Sequence, residues 1–302
     1  LGLVAGVLMA ALVIYTWRRI ERANVAVGLA PATQPPTGDG LGIGFVANFF
    51  DTLGIGSFAT TTAYVKFRNL VRDELLPGTL NVGHALPTIV QAIIFTTAIA
   101  VAPLTLISMV TAAVAGGYFG AGVVSKLPRR SIQLGMGLAL LIAAAIFVMK
   151  VTGVLPPGGN SLGLAGGVLI FAIAVNFLLG ALMQLGIGLY APCLMLVSLL
   201  GMNPIAAFPI MMASCACLMP VSSLKFIRER RYDKRLAIGL ALGGIPGVLI
   251  AAFIVKSLPL AWLYWLVVIV VLYAAILMLR SALQPQPAPD ATASHAVQKP
   301  VR

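Results

Sequence analysis

Charged residues are scarce in this sequence. Only 9% of the 302 residues are charged and 60% are hydrophobic, whereas a soluble globular domain carries roughly 25% charged residues. So few charges cannot cover a water-facing surface, which excludes a soluble protein. Several apolar runs reach the ~20 residues that cross a bilayer as a helix, and the ~10-residue alternating strands of a membrane barrel are missing. The sequence therefore predicts an all-α polytopic membrane protein.

Residues that carry chemistry are also few. The chain has three cysteines and two histidines, and none of them forms a metal-binding or C-x-x-C motif. No H-E-x-x-H motif, pair of intramembrane acids or nucleophile with a neighbouring base is present. We therefore predict that the protein is not an enzyme and holds no metal or cofactor. Cys193, Cys215 and Cys217 lie in apolar runs and are interpreted as packing residues.

Basic residues outnumber acids, which gives a formal net charge of +12. In a soluble protein this excess would suggest a nucleic-acid partner. Here all basic residues except Lys150 and Lys256 lie in the loops after residues 17, 65, 125 and 224 or in the C-terminal tail. The positive-inside rule places these loops and the tail in the cytoplasm. The charge therefore reports topology, and the bilayer rather than nucleic acid is the predicted partner.

The chain is predicted to divide into five regions. They are an N-terminal transmembrane helix or anchor (1–17), a cytoplasmic linker (18–40), a first repeat (41–151), a second repeat (162–280) and a disordered cytoplasmic tail (281–302). Residues 41–65 are flanked by basic loops on both sides, and 25 residues cannot cross the bilayer twice as full helices. This segment is therefore expected to enter the membrane and return as two half-helices, and 162–201 is expected to do so from the opposite face.

The two repeats are recognised by motifs at a nearly constant offset. "LGIG" stands at 53–56 and 185–188, an "LP" pair at 127–128 and 258–259, and weaker matches join 81–87 to 214–220 and 143–150 to 273–280. Each copy combines a returning segment with three spans. Because three is odd, the copies are expected to have inverted topology, as in many secondary transporters, whose sites lie at interrupted helices near the midplane.

These motifs resemble the TauE/SafE family of sulfite and organosulfonate exporters. The resemblance is carried by the Gly-Ile-Gly motifs at 54–56 and 186–188, by Pro192, and by the repeated late "G…LP" pattern, and it covers about residues 40–280. Where the family commonly has a third glycine, Ser57 and Leu189 stand here. The resemblance implies export of a small anion across the bacterial inner membrane without an ATPase domain.

The polar residues of the first break form the predicted site. Glycine permits a positive φ and a close approach to the backbone, and half-helix N-termini favour an oxyanion. The predicted substrate-binding residues are Gly54, Gly56, Ser57, Thr60 and Asn81, with Gln184, Gly186, Gly188 and Tyr190 in or after the second break. The competing interpretation is that these small residues only allow helices to pack closely.

Two titratable residues are predicted to couple protons to transport. Asp51 is the one acid inside an apolar segment, where a charge costs about 2.5–3.5 kcal/mol on insertion scales. His84 lies in the apolar run before Pro87 and could carry a proton near neutral pH. A helix cap is the alternative role for Asp51, and a packing hydrogen bond is the alternative for His84.

The predicted function is proton-coupled export of sulfite or a small organosulfonate anion, bound between the two glycine breaks. Three alternatives stay open at this stage. They are an anion channel of the same architecture, an uptake permease for another small sulfur-containing anion, and sulfur uptake through a cysteine relay.

Overall fold

The computed structural model describes residues 2–26, 35–54, 56–72, 75–120, 129–152, 154, 159–183, 189–257 and 260–283. Within these ranges the chain is helical. The helices are α1 (Gly2–Ala26), α2 (Gly38–Thr52), α3 (Ser57–Phe67), α4 (Leu76–Ala98), α5 (Pro103–Ala115), α6 (Arg129–Val151), α7 (Gly166–Met183), α8 (Tyr190–Leu199), α9 (Ala207–Glu229), α10 (Lys234–Ser257) and α11 (Leu260–Leu283). A π-helical turn, Gly116–Gly120, continues α5, and a 3-10 turn, Pro204–Ala206, precedes α9.

Four helices are long and apolar enough to cross a membrane by length and composition. They are Leu76–Ala98, Gly166–Met183, Pro204–Glu229 and Lys234–Ile254 among the described residues. This confirms the coarse prediction of a helical protein with several candidate membrane-spanning segments. The N-terminal helix differs from the expected boundary, because α1 continues through residues 18–26 of the predicted linker. Glu21 on these added turns pairs with Lys234, the first residue of α10, which stabilises them.

α2 and α3 form a hairpin around the first glycine motif. α2 begins where the Thr37 hydroxyl accepts the N–H of Gly40 at 3.0 Å, a standard N-cap. It ends before Gly54 (φ 99°) and Gly56 (φ 86°), whose backbone conformation is unfavourable for residues with a Cβ.

Contacts at the open end of this hairpin show that α3 runs back alongside α2. The Tyr64 hydroxyl donates to Asp39 Oδ1 at 2.6 Å, and Arg68 lies 3.5 Å from the same carboxylate. The start of α2 therefore lies beside the end of α3. The hydrogen bond from Tyr64 and the charge of Arg68 lower the pKa of Asp39.

Glycine lets α2 approach α10 at backbone distance. A Cβ built on Gly44 would lie 2.8 Å from the Cα of Leu240, and one on Gly239 would lie 2.9 Å from the Cα of Gly40. One on Gly247 would overlap the carbonyl of Phe45. Small residues at four-residue spacing are typical of close packing between membrane helices.

α5 and α7 pack in the same way. A Cβ on Gly116 would overlap the carbonyl of Phe177, and one on Gly180 would overlap the carbonyl of Ala113. The Asn176 amide donates to the carbonyl of Met109 at 2.7 Å. These contacts fix α7 against α5 along its buried face.

The centre of the molecule is formed by α4 and α9. The rings of Phe95 and Phe208 stack there with centroids 5.5 Å apart, and Thr88 donates to the sulfur of Met219 at 3.4 Å. α4 also packs on α10, and α9 also packs on α5. α2 and α8 then reach this centre from different sides, through side chains described below.

α1 docks on the loop between α9 and α10. The Trp17 indole donates to the Tyr232 hydroxyl at 3.0 Å, Tyr232 donates to Glu21, and Lys234 pairs with Glu21 at 2.8 Å. Burial raises the pKa of Glu21, but the hydrogen bonds from Lys234 and Tyr232 outweigh it, so that pKa lies below its usual value. Glu21 is therefore charged at neutral pH and holds α1 in place.

Candidate functional site

Asp51 lies at the end of α2 and turns its carboxylate toward the start of α3. Its Oδ1 accepts the backbone N–H of Ser57 at 2.5 Å, and Ser57 is the first residue of α3. The side chain is only 3% exposed. A carboxylate at this position satisfies a free N–H of the helix and interacts favourably with its dipole. The carboxylate therefore makes the helix-capping contact considered as its alternative role.

Gln91 joins Asp51 to the second half of the chain. Its Nε2 donates to Asp51 Oδ2 at 2.9 Å and to the hydroxyl of Thr52 at 2.9 Å. Its Oε1 accepts from the Tyr190 hydroxyl at 2.9 Å. Tyr190 is the first residue of α8. A buried chain of hydrogen bonds thus runs from the start of α3 through α4 to the start of α8.

This chain brings together three residues that the sequence singles out. Asp51, Ser57 and Tyr190 are directly or indirectly linked through Gln91. Gln91 itself was not predicted, because it belongs to no motif. The available signal was an amide in the middle of a long apolar run, since polar residues inside membrane helices are commonly functional.

Space and an unused hydroxyl adjoin the start of α3. The Ser57 hydroxyl is buried and has no hydrogen-bond partner among the described residues. A Cβ built on Gly56 would meet nothing within 4 Å. The first break therefore offers a hydroxyl, backbone N–H groups and room for a further small group.

His84 occupies a separate buried cluster on α4. Its Nε2 lies 3.0 Å from the hydroxyl of Thr61 and its Nδ1 lies 3.2 Å from Asn48 Oδ1. The ring of Phe58 lies against it with centroids 6.0 Å apart. His84 thus bridges α2, α3 and α4, and its contacts are those of the packing interpretation.

Two predicted binding residues lie outside the hydrogen-bond chain. Asn81 donates to the carbonyl of Pro77 in its own helix at 2.9 Å. It precedes Gln91 by ten residues, about 15 Å along a helix. The Thr60 hydroxyl makes a long contact of 3.4 Å with the carbonyl of Gly56, so Thr60 stays at the first break.

The other predicted site residues, Gln184, Gly186 and Gly188, lie outside the described residues. The second break is therefore represented here by the flanking Met183 and Tyr190. Met183 accepts a contact from the thiol of Cys215 at 3.6 Å.

The three cysteines are free thiols. Cys193 and Cys215 are buried and Cys217 is partly buried. No group of three or more metal-binding side chains occurs in the part of the chain that the structure describes. What the arrangement provides is hydrogen-bond donors, one acid and helix N-termini, a set suited to holding a small oxyanion.

Comparison with curated proteins and with solved structures gives no match. The family model described as "Sulfite exporter TauE/SafE" matches residues 163–301 and so confirms, over the second half of the chain, the resemblance to this family of membrane transporters.

Proposed function

We propose that this protein is a secondary transporter that exports sulfite or a small organosulfonate anion across the bacterial inner membrane, coupled to protons. The substrate binds at the two glycine breaks, where the N-terminal ends of α3 and α8 approach the same buried amide. The observation that carries the proposal is the chain Ser57–Asp51–Gln91–Tyr190, because it links both half-helix starts. The family match of residues 163–301 supplies the substrate class.

The proposed architecture is a pair of inverted repeats, α2–α6 and α7–α11. Equivalent helices make equivalent contacts: α2 packs on α10 as α7 packs on α5, and α4 packs on α10 as α9 packs on α5. Single residues support the same relation. Gly247 faces the carbonyl of Phe45, and Gly116 faces the carbonyl of Phe177, and these pairs are related by offsets of 131 and 132 residues, as in the sequence motifs.

The proposed orientation places the basic loops and the C-terminus in the cytoplasm. Asp39 and Arg68, at the open end of the α2–α3 hairpin, then face the cytoplasm, and Ser161 faces the periplasm. A single cysteine at each of these positions, in a chain with the native cysteines replaced by serine, tests this orientation. We expect a membrane-impermeant maleimide to label only position 161 in intact spheroplasts. Labelling of positions 39 and 68 from the same side would contradict it.

Transport itself is tested with purified protein in liposomes. Sulfite and isethionate efflux should saturate with concentration and respond to a pH gradient, whereas flux through a channel would not be tied to the proton gradient. Gly54→Val should abolish flux, because valine is strained at φ 99° and fills the approach to the backbone.

Gly42→Val, on the helix that precedes Gly54, is the matched control, since a Cβ at Gly42 meets nothing within 4 Å. Equal flux in both variants would place the substrate elsewhere. Full flux after replacement of all three cysteines by serine would dismiss a cysteine relay.

A further inference from the structure

The donors that suit a substrate anion are already used by an anion of the protein itself. Asp51 accepts the first N–H of α3 at 2.5 Å and the amide of Gln91 at 2.9 Å. A sulfonate or sulfite oxygen bound at the same half-helix start would need these N–H groups. Two negative groups on one helix N-terminus would also repel each other in a buried, poorly solvated place.

We propose that the Asp51 carboxylate occupies the anion site of the substrate-free protein, and that a substrate anion replaces it only when Asp51 takes up a proton. The inference rests on the proposed function and adds a rule to it: proton and anion bind together. In the step, a proton adds to the Asp51 carboxylate, the neutral acid releases the Ser57 N–H and the Gln91 amide, and the anion accepts both. The site carries a net charge of −1 before the exchange, on Asp51, and again after it, on a singly charged substrate anion.

A second observation points to a ligand at this half-helix start. The Ser57 hydroxyl is 2% exposed and makes no hydrogen bond of good geometry with the described side chains and backbone groups, although it lies near enough to the Asp51 carboxylate to stabilise its charge. A buried hydroxyl without a partner is costly, and on the first residue of α3 it adjoins the N–H that Asp51 accepts. Bound anion would satisfy it as a third donor, beside the open space at Gly56.

Gln91 can serve both states without moving far. Its Oε1 is held by the Tyr190 hydroxyl and its Nε2 also contacts the hydroxyl of Thr52. These contacts fix which end of the amide is the donor. The donor therefore stays aimed at the site whether the acceptor is Asp51 or a substrate oxygen.

Other titratable groups lie on the helices around α2 and α3, some beside Asp51 and others at the far end of the hairpin. Tyr190 of α8 and Cys215 of α9 interact with its charge, and on α4 His84 contacts Asn48, three residues before Asp51. At the far end of α3, Tyr64 and Lys66 occupy its last turns. On α10, Lys234 pairs with Glu21 and Arg235 donates to the carbonyl of Pro35. His84 is the group whose titration must be separated from that of Asp51.

Binding of proton and anion together determines whether the protein is a symporter or an antiporter. If proton and anion bind together, they cross the membrane in the same direction, so export carries a proton outward and is driven by the outward gradient of the anion. An antiporter requires the opposite, that each excludes the other from the site. The pH dependence of binding distinguishes these two cases without a transport measurement.

The test is calorimetric binding of isethionate to the full-length protein in nanodiscs between pH 5 and 8. A sulfonate stays ionised over this range, so the titration belongs to the protein. We expect affinity to rise as pH falls, by up to about tenfold per pH unit while Asp51 is ionised. Runs in two buffers of different ionisation enthalpy should show about one proton taken up per anion bound.

Variants identify the residue that takes up the proton. Asp51→Asn should bind isethionate with little pH dependence and no proton uptake, while Asp39→Asn, the same change on the same helix, should behave as wild type. Pronounced pH dependence that survives Asp51→Asn but disappears in His84→Gln would overturn the inference.

Binding measurements on the wild-type protein alone also test the inference. Binding without pH dependence, or with proton release, overturns the inference and leaves the proposed function standing. Absence of binding of both isethionate and sulfite at every pH overturns the proposed function and the inference with it.

Discussion

At the scale of residues, the first break combines conformational freedom with a satisfied acid. Gly54 and Gly56 supply positive φ angles, and Asp51 and Gln91 hold the turn by hydrogen bonds to Ser57 and Thr52. The carboxylate of Asp51, the amide of Gln91 and the hydroxyl of Thr52 each have a buried polar partner, which in a low-dielectric interior makes removal of one member costly. Local backbone geometry and the buried network can be perturbed separately.

Gly56→Ala separates strain from blocked space. No atom lies within 4 Å of the added Cβ, so the cost comes from φ alone, about 1–3 kcal/mol. We expect a lower Tm in detergent than for Gly42→Ala, which adds the same methyl on α2 at a glycine without a positive φ. Equal Tm values for the two variants would show that the break relaxes without strain.

Gln91→Leu should be strongly destabilising. It leaves an oxygen of Asp51 and the hydroxyl of Tyr190 without their partner, at about 1–3 kcal/mol for each buried group. Gln133→Leu is the matched control, because Gln133 is also buried but its Oε1 already lacks a partner. Thermal unfolding in detergent should show a large drop for the first variant and a small change for the second; the reverse order would contradict the network.

At the scale of elements, two attachments set the position of helices that membrane insertion alone would leave free. The hairpin of α2 and α3 is closed at its open end by Asp39 with Tyr64 and Arg68. The added turns of α1 are held by Glu21 against Tyr232 and Lys234. A partly exposed ion pair alone contributes little, so the buried Tyr232 and the indole of Trp17 carry much of the second attachment.

Loss of the Glu21 charge should loosen α1. Because the pKa of Glu21 is lowered in the folded protein, its stabilisation is present above the unfolded pKa and is lost as pH falls through the folded value. The attachment should therefore be complete at neutral pH and weaken as the pH falls below the ordinary pKa of a glutamate.

Fluorescence of Trp17, with Trp262 and Trp265 replaced by phenylalanine, reports this change. We expect a red shift at pH 7 in Glu21→Gln and a similar shift in the parent only at acid pH. An unchanged spectrum in Glu21→Gln would show that α1 is held by the apolar contacts alone.

At the scale of the whole molecule, helices of the two halves interlock rather than pack side by side. α2 from the first half lies on α10, and α7 from the second half lies on α5. Both interfaces depend on glycines that face a backbone carbonyl.

Gly116→Leu and Gly247→Leu should therefore have matching effects. Each places a side chain on a carbonyl, that of Phe177 or Phe45, and overpacking of this kind costs about 1–3 kcal/mol or more. We expect both to lower Tm and transport together. Gly167→Leu, where a Cβ meets nothing within 4 Å, should leave both unchanged. A strong effect at one position and none at the other would argue against equivalent interfaces.

Much of the site was predictable because membrane burial makes polar residues conspicuous. Asp51 and Ser57 stand out in an apolar segment, and the glycine motif marks the interruption. Gln91 and its partnership with Tyr190 were not predictable, because residues 99 positions apart come together only through the packing of α4 against the second half. The placement of Asn81 away from this group likewise depends on where α4 crosses its neighbours.

The sequence by itself determined that the chain is helical, lies in a membrane and turns back at the first glycine motif. These properties follow from hydropathy, the distribution of basic residues and the special backbone freedom of glycine, all of which act locally. Only the tertiary structure decided that the Asp51 carboxylate covers the start of α3 and that an amide on α4 connects it to α8. Such contacts depend on distances between separate helices, which no local pattern of residues fixes.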